Sequence, residues 1–326
     1  MTTPRIVTFG ELLLRLSPPG QEALLESGVL RANFGGAEAN LAVALTHLGV
    51  SATYVTALPH NPLAARAQAA LRAEGVQLHA AEIPDSRLGL FFVDLGTDSR
   101  PANTTYDRAG SAFTQVSGTT FDWPGILAGA AWFHGTGITP ALGSGPVEAL
   151  GQAMETARKL AIPVSLDLNY RPPLWAGRNP RPLMMRLVNH VELLIANSGS
   201  LAAMLDLDTD DPQVVAERTG ARRVALTRRE VLPGSTHRWS ATLYDSKSRG
   251  LAASKVYQVR AVDRVGAGDC FAAALIFRLL EDRPIEHALE FAVVAAAHKL
   301  RVPGDWSRLT PEKVERLLTA PDPAWS

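Results

Sequence analysis

Short apolar segments with β propensity alternate with helical segments along most of this 326-residue chain. Strands that are separated by helices cannot pair as hairpins, because the chain must cross over before the next strand begins. Such strands favour a mainly parallel sheet with helices packed on both faces. We therefore predict an α/β fold, with strands at 131–134, 164–168, 193–196 and 222–227 and helices at 145–160, 180–189 and 198–205.

Two segments interrupt this alternation. Residues 88–106 contain an apolar run, a polar turn with Pro101 and a second β-rich run, which together are typical of a hairpin. Residues 12–34 lie between the first strand and a helix that begins near Glu38, and they are also largely extended in character. We expect these segments to form a small second sheet, inserted at about 12–34 and 88–108 into a single domain that spans residues 1–326.

Charge and composition exclude several function classes. The chain has 32 basic and 32 acidic side chains, so it offers no electrostatic footprint for nucleic acid or for an anionic membrane surface. We found no signal peptide and no run of 18 apolar residues. Cys270 is the single cysteine, and the eight histidines show no metal-ligand spacing. We predict a cytoplasmic protein with a small-molecule substrate, no nucleic-acid or membrane partner and no metal held by protein ligands alone.

The stretch from Asp263 to Phe271, Asp-Arg-Val-Gly-Ala-Gly-Asp-Cys-Phe, predicts an anion site with a base beside it. Gly266 and Gly268 leave backbone amides uncovered, and the Ala-rich run that follows would place those amides at a helix N-terminus. Asp269 would lie in the first turn, where its carboxylate can accept a proton from a hydroxyl group. An isolated motif of this kind is more often only a turn and a helix cap.

The wider pattern changes that assessment. Asp-x-x-Gly-Ala-Gly-Asp before an apolar helix resembles a signature of the ribokinase-like, or PfkB, family of sugar kinases. Residues 34–49, Phe-Gly-Gly-Ala-Glu-Ala-Asn and the helix that follows, resemble its N-terminal signature. The resemblance covers nearly the whole chain. It implies a ribokinase-like three-layer α/β/α core with a mainly parallel sheet, a small β-sheet lid, the cofactors ATP and Mg²⁺, and a homo-oligomer (a dimer or larger) formed through the lid.

The resemblance also implies roles for particular residues. Asp269 becomes the catalytic base, and three residues form the anion hole around the transferred phosphoryl group: Gly266, Ala267 and Gly268. On the nucleotide side, the resemblance implies that ATP is bound by Asn197, Thr227 and Arg229. That side departs from the family pattern, because Ser200 stands at an acidic position and residues 227–234 replace a glycine-rich turn.

The substrate half resembles the 2-keto-3-deoxygluconate kinases, through Tyr106-Asp-Arg108 and Asp167-Leu-Asn-Tyr-Arg171. A sugar acid needs a cation, and arginine pairs well with carboxylates, although both arginines could instead be solvated surface charges. The other implied substrate residues are Gly35, Gly36, Asn40, Phe92 and Asp305. A fructokinase or other neutral-sugar kinase is the second hypothesis. A degenerate kinase that binds sugar or nucleotide as a regulator is the third, which the retention of Asp269 argues against.

Cys270 follows the predicted base directly. A thiol in the first turn of a helix tends toward the reactive thiolate, whereas a buried cysteine behaves as a small apolar side chain. The second interpretation is the more common one.

Overall fold

The computed structural model describes residues 3–20, 22–97, 100–189 and 191–319. Its strands form one ten-stranded sheet and one four-stranded sheet within these residues. The strands are β1 (Arg5–Phe9), β2 (Leu13–Ser17), β3 (Arg31–Gly35), β4 (Ser51–Leu58), β5 (Gln77–Glu82), β6 (Gly89–Asp94), β7 (Asn103–Asp107), β8 (Trp132–Thr136), β9 (Val164–Asp167), β10 (Leu193–Ala196), β11 (Arg223–Leu232), β12 (Thr236–Asp245), β13 (Gly250–Ala253) and β14 (Tyr257–Arg260).

Helices cover the large sheet on both faces, and their apolar faces are buried against it. The helices are α1 (Ala37–His47), α2 (Pro62–Ala73), α3 (Trp123–Leu127), α4 (Ser144–Lys159), α5 (Arg181–Val188), α6 (Ser198–Leu205), α7 (Pro212–Thr219), α8 (Ala267–Leu280), α9 (Ile285–Lys299) and α10 (Pro311–Thr319). Within the described residues, no helix is both long and apolar enough to cross a bilayer.

The large sheet has the order β13-β12-β11-β10-β9-β8-β1-β4-β5, with β14 paired to β12. From β11 to β5 every neighbouring pair is parallel, and the antiparallel strands lie at the β12 end. Parallel neighbours bring their carboxyl ends to one edge, so the residues that follow β8, β9, β10 and β11 are collected there. This edge carries the candidate site.

Two apolar clusters form the core, one on each face of the large sheet. Along β10, Leu193 and Ile195 pack with α1, α8 and α9, whereas Leu194 and Ala196 pack with α4, α5 and α6 on the opposite face. Alternate strand residues point to opposite faces, so two buried faces require a continuous apolar run such as this one. The predicted three-layer α/β/α core is confirmed.

The small sheet has the order β3-β2-β6-β7 and arises from the two segments that interrupt the alternation. β6 and β7 pair antiparallel, as the hairpin pattern predicts. β2 pairs antiparallel with β3 and parallel with β6, which connects the two segments in one sheet. We call this four-stranded sheet the lid.

Some elements were absent from the sequence-based prediction. They are β5, β13 and α7. Residues 227–234, which stand in place of the glycine-rich turn, are mostly β-strand. β11 continues to Leu232, which pairs with Thr236 at the start of β12. The chain therefore has a long β-hairpin at that place.

Candidate active site

A cleft of about 850 Å³ lies between the lid, the carboxyl edge of the large sheet and the N-terminus of α8. Its lining comes from segments that are far apart in sequence, including both signature stretches. Most residues predicted for the site line it: Gly36, Asn40, Tyr106, Arg108, Arg171, Asn197, Thr227, Arg229, Gly266, Ala267, Gly268, Asp269 and Asp305. Gly35 and Phe92 are not among its lining residues.

The glycine-rich stretch has the geometry expected of an anion hole. Gly266 is the N-cap residue of α8 and is left-handed, with φ 82° and ψ −3°. A Cβ at this position would lie 2.0 Å from the carbonyl oxygen of Asp305, so the turn requires glycine for space as well as for conformation. The helix begins at Ala267, and the free amides of its first turn therefore face the cleft.

Asp269 lies in this first turn, where the helix dipole favours its anionic form. Its Oδ2 accepts a 2.7 Å hydrogen bond from Nδ2 of Asn40, which α1 supplies from the other signature. Burial raises the pKa of Asp269 above its usual range, while the Asn40 bond and the nearby Arg171 and Lys299 act in the opposite direction. A carboxylate that is fixed in place and raised in pKa suits a general base.

Asp305 is buried beneath the lid and is bound by Arg15 of β2. Nη1 of Arg15 lies 2.8 Å from Oδ1 of Asp305 and 2.8 Å from Oδ2 of Asp263. Oδ2 of Asp305 is buried without a partner, and burial raises the pKa of this carboxyl group to about 6. Gly35 lies behind the cleft wall, where a Cβ would be 2.1 Å from that oxygen. Gly35 therefore allows Asp305 to approach, rather than lining the cleft itself.

The two arginines predicted to bind a carboxylate differ in their surroundings. Arg108 is 9% exposed, and its Nη1 already donates to the buried carboxylate of Glu11, whose other oxygen accepts from Ser111. Arg171 hydrogen-bonds only to the carbonyl of its neighbour Tyr170, and it forms no ion pair within the described residues. Arg108 therefore already has a carboxylate partner, whereas Arg171 has none within the described residues. The roles of both residues in carboxylate binding stay predictions.

The aromatic lid residue that faces the cleft is Phe91, not Phe92. Side chains alternate along β6, so a shift of one residue exchanges the two faces of the lid. Phe91 is 5% exposed and stacks on Tyr106 of β7, with ring centroids 6.0 Å apart. Phe92 does not line the cleft, and the apolar run did not reveal which residues of the strand face inward.

On the nucleotide side, Asn197 directly follows β10 and Thr227 lies within β11. Both are at the carboxyl edge of the large sheet. Oδ1 of Asn197 accepts from the backbone N of Ser200 at 3.0 Å, and the Ser200 hydroxyl bonds back to Asn197. Asn197 is therefore the N-cap residue of α6, and Ser200 completes the capping box at the third helical position. Ser200 is 1% exposed, so it does not face the cleft as an acidic metal contact would. Arg229 lines the cleft from the hairpin of β11 and β12.

Comparison with known proteins agrees with this geometry. Residues 3–311 match the model of the pfkB family carbohydrate kinases. The chain is a PfkB family carbohydrate kinase. This membership confirms the predicted family and the predicted ATP-dependent carbohydrate kinase class.

The kinase is similar over nearly its full length to several characterised relatives. It is 36% identical over 323 residues to the 2-dehydro-3-deoxygalactonokinase of Haloferax volcanii, with 98% of both chains covered. It is 27% identical over 305 residues to fructokinase-1 of Oryza sativa, with 90% of both covered. The crystal structure of 2-dehydro-3-deoxygluconokinase from Thermotoga maritima superimposes with a TM-score of 0.93 at 35% identity, covering 98% of this chain and 99% of the other.

Two cleft residues of the kinase were not assigned from the sequence. Asp167 ends β9, and burial, together with the charge of Asp269, raises its pKa to about 7. Arg264 lies inside the signature loop, two residues before Gly266, and its side chain lines the cleft. Both belong to stretches that the sequence singled out. The signal for each was a charged side chain within a motif, which the pattern alone did not separate from a surface charge.

Cys270 of the kinase is buried in the core. It is 3% exposed, and burial raises its pKa to about 11. The structure therefore favours the second interpretation, in which the residue packs as a small apolar side chain of α8.

Proposed function

We propose that this kinase transfers the γ-phosphoryl group of ATP to the 6-hydroxyl of a 2-keto-3-deoxy sugar acid, with 2-keto-3-deoxygluconate as the preferred substrate. The names of the Haloferax and Thermotoga relatives support this substrate class, since "2-dehydro" and "2-keto" denote the same carbonyl group. The two names differ only in the sugar acid, which is galactonate for the Haloferax relative and gluconate for the Thermotoga relative.

The observation that carries the proposal is the unpaired guanidinium of Arg171 in a partly enclosed cleft. A charge removed from water is costly unless a counterion joins it, so the cleft favours a ligand with a carboxylate. A neutral sugar would leave Arg171 without that partner. Arg108 adds less to this argument, because Glu11 already neutralises its charge.

Two buried oxygens point to a polyhydroxylated ligand. Asn40 and Asp305 line the cleft, and Oδ1 of Asn40 and Oδ2 of Asp305 are buried without a hydrogen-bond partner among the described residues. Buried acceptors without partners cost about 1–3 kcal/mol each, and hydroxyl groups of a sugar would remove that cost by donating to them. These acceptors agree with the predicted roles of Asn40 and Asp305 in substrate binding.

Proton transfer is assigned to Asp269. Its Oδ2 is held by Asn40, so Oδ1 is the oxygen that would accept the proton of the attacking hydroxyl group. The amides of Gly266, Ala267 and Gly268 would hold the phosphoryl oxygens as charge develops on them. This division of roles needs both signatures, because one supplies the base and the other fixes its orientation.

The residues present fit a Mg²⁺ ion that arrives with the nucleotide. Among the described residues, no group of three or more acidic, histidine or cysteine side chains could hold a metal. Mg²⁺ commonly keeps several waters and uses one or two carboxylates together with substrate phosphates, and Asp167 and Asp269 offer such carboxylates in the cleft. Bound there, the ion would neutralise phosphate charge.

The lid also carries an exposed apolar surface. The segment between β2 and β3 exposes Leu25, Val29 and Leu30 at the lid, with 97%, 64% and 39% of their surface accessible. We propose that a second copy of the chain covers this apolar surface and forms a dimer through the lid. A cytoplasmic location stays a prediction.

A coupled ADP-release assay tests the proposed reaction. The panel contains 2-keto-3-deoxygluconate, 2-keto-3-deoxygalactonate, gluconate, fructose and ribose, each with Mg-ATP. We expect kcat/KM for a 2-keto-3-deoxy acid to exceed that for fructose by about 10²-fold, the scale of one charged hydrogen bond that only the acid can make. Preference for fructose would support the neutral-sugar alternative. No ADP release with any sugar would support a regulator.

A further inference from the structure

Arg264 is the cationic side chain closest in sequence to the anion hole. Its two neighbours are fixed, because the Asp263 carboxylate accepts from the backbone N of Val265 and of Gly304 at 3.0 Å each and pairs with Arg15. Asp263 is 2% exposed and points into the protein, whereas Arg264 is half-buried and lines the cleft. The loop therefore presents a guanidinium group toward the ligand from a firmly held backbone.

Four arginines of the cleft form no ion pair among the described residues: Arg171, Arg228, Arg229 and Arg264. The buried residues Arg15 and Arg108 are instead paired with Asp305 and Glu11. Burial lowers the pKa of both Arg229 and Arg264, and repulsion from the neighbouring guanidinium groups lowers each further. Like charges gathered without ion-pair partners indicate a site for more than one anionic group.

The proposed substrates supply those anions in two places. A sugar acid carries one carboxylate, for which Arg171 is the available partner. The triphosphate of ATP carries the remaining charge, and its γ-phosphoryl group must lie at the amides of Gly266 to Gly268 during transfer. Arg264 belongs to this same loop, two residues before Gly266, and it lines the cleft together with Arg171 and Arg229.

We propose that Arg264 binds the γ-phosphoryl group of ATP and stays with it during transfer to the sugar, an inference that rests on the proposed kinase reaction. The bond from the γ-phosphorus to the ADP oxygen breaks, a bond to the sugar oxygen forms, and the hydroxyl proton passes to Asp269. Arg264 forms no covalent bond. Its guanidinium fork neutralises charge on the equatorial phosphoryl oxygens, the place where an arginine accelerates phosphoryl transfer.

Binding measurements separate this role from a general effect of charge. AMP-PNP and ADP differ by the γ-phosphoryl group, so Arg264→Met should raise the Kd of AMP-PNP by about 10-fold or more and that of ADP by less than about threefold. The Kd of the sugar acid without nucleotide should not change. Arg264→Lys keeps the charge but loses the fork, so it should be intermediate. Arg260→Met, an exposed arginine of β14 just before the loop, is the matched control and should behave as the parent.

Turnover gives the second readout. Arg264→Met should lower kcat by about 10²-fold, with the KM of the sugar acid nearly unchanged. Equal weakening of AMP-PNP and ADP would overturn the proposal, and so would a loss confined to the sugar acid, which would assign Arg264 to the carboxylate. Failure of the wild-type kinase to accept sugar acids, with the AMP-PNP and ADP difference intact, would reject the proposed substrate and leave the role of Arg264 supported.

Discussion

Gly266 and Gly268 look equivalent in the sequence, but the structure predicts opposite effects of replacing them with alanine. At Gly266 the left-handed φ of 82° costs a residue with a Cβ about 1–2 kcal/mol. The new Cβ would also lie 2.0 Å from the carbonyl oxygen of Asp305. A normal contact between these atoms is about 3.3 Å, so the backbone of Asp305 must move by roughly 1.3 Å.

Overpacking of this kind costs about 1–3 kcal/mol. Together with the strain, Gly266→Ala should therefore destabilise the kinase by about 2–5 kcal/mol. At Gly268 the helix has begun, and a Cβ would have no atom within 4 Å. Replacing glycine by alanine inside a helix stabilises by about 0.5–1 kcal/mol, so Gly268→Ala should unfold no more easily than the parent.

Thermal unfolding followed by circular dichroism measures both changes. Since 1 kcal/mol shifts Tm by about 2–4 °C in domains of 150–250 residues, Gly266→Ala should unfold at least about 5 °C below the parent. The movement of Asp305 should also weaken sugar-acid binding in that variant. Equal Tm values for the two variants would refute the argument, because then neither the φ angle nor the contact with Asp305 would restrict residue 266.

Three further results are expected. Asp269→Asn should keep the fold and ATP binding while kcat falls by at least ~10²-fold, and a variant with activity within a few-fold of the parent would remove the residue from that role. In the parent, kcat/KM should decline as the pH drops through the raised pKa of Asp269, because the base must be deprotonated to act. Arg171→Ala should weaken sugar-acid binding by ~1.5–3 kcal/mol and fructose binding far less, as isothermal titration would show, whereas equal losses would exclude carboxylate recognition. Leu25→Asp combined with Val29→Asp should convert a dimer to monomers in sedimentation, and an unchanged assembly would place the interface elsewhere than the lid.

The sequence predicted those parts of the site that depend on local chemistry. A glycine-rich turn before an apolar helix predicts a helix N-terminus, and α8 begins there with Gly266 as its N-cap residue and Asp269 in its first turn. The alternation of strands and helices predicted the parallel sheet. Residues at the carboxyl ends of separate strands then lie together at one edge of that sheet, such as Asp167 at the end of β9 and Asn197 directly after β10.

Contacts between distant residues were not predictable in the same way. Arg15 reaches Asp305 across 290 positions of sequence, and Arg108 reaches Glu11 across 97. Nothing in either local pattern indicates the partner. The orientation of β6 presented the same difficulty on a smaller scale, because Phe91 and Phe92 are both apolar and only the packing of the lid decides which of them faces the cleft.

The pairing of Arg108 also changes what its replacement can reveal. Arg108→Ala would leave Glu11 as a buried carboxylate without its cation, and breaking such a pair costs about 3–5 kcal/mol. Lost activity in that variant would then reflect the damaged cleft wall as much as any missing contact with a sugar acid. Arg171 has no such partner within the described residues, so its truncation removes only what it offers to the ligand. The evidence for a carboxylate substrate therefore depends on Arg171, and Arg108 can contribute to it only when Glu11 is replaced by glutamine in the same chain.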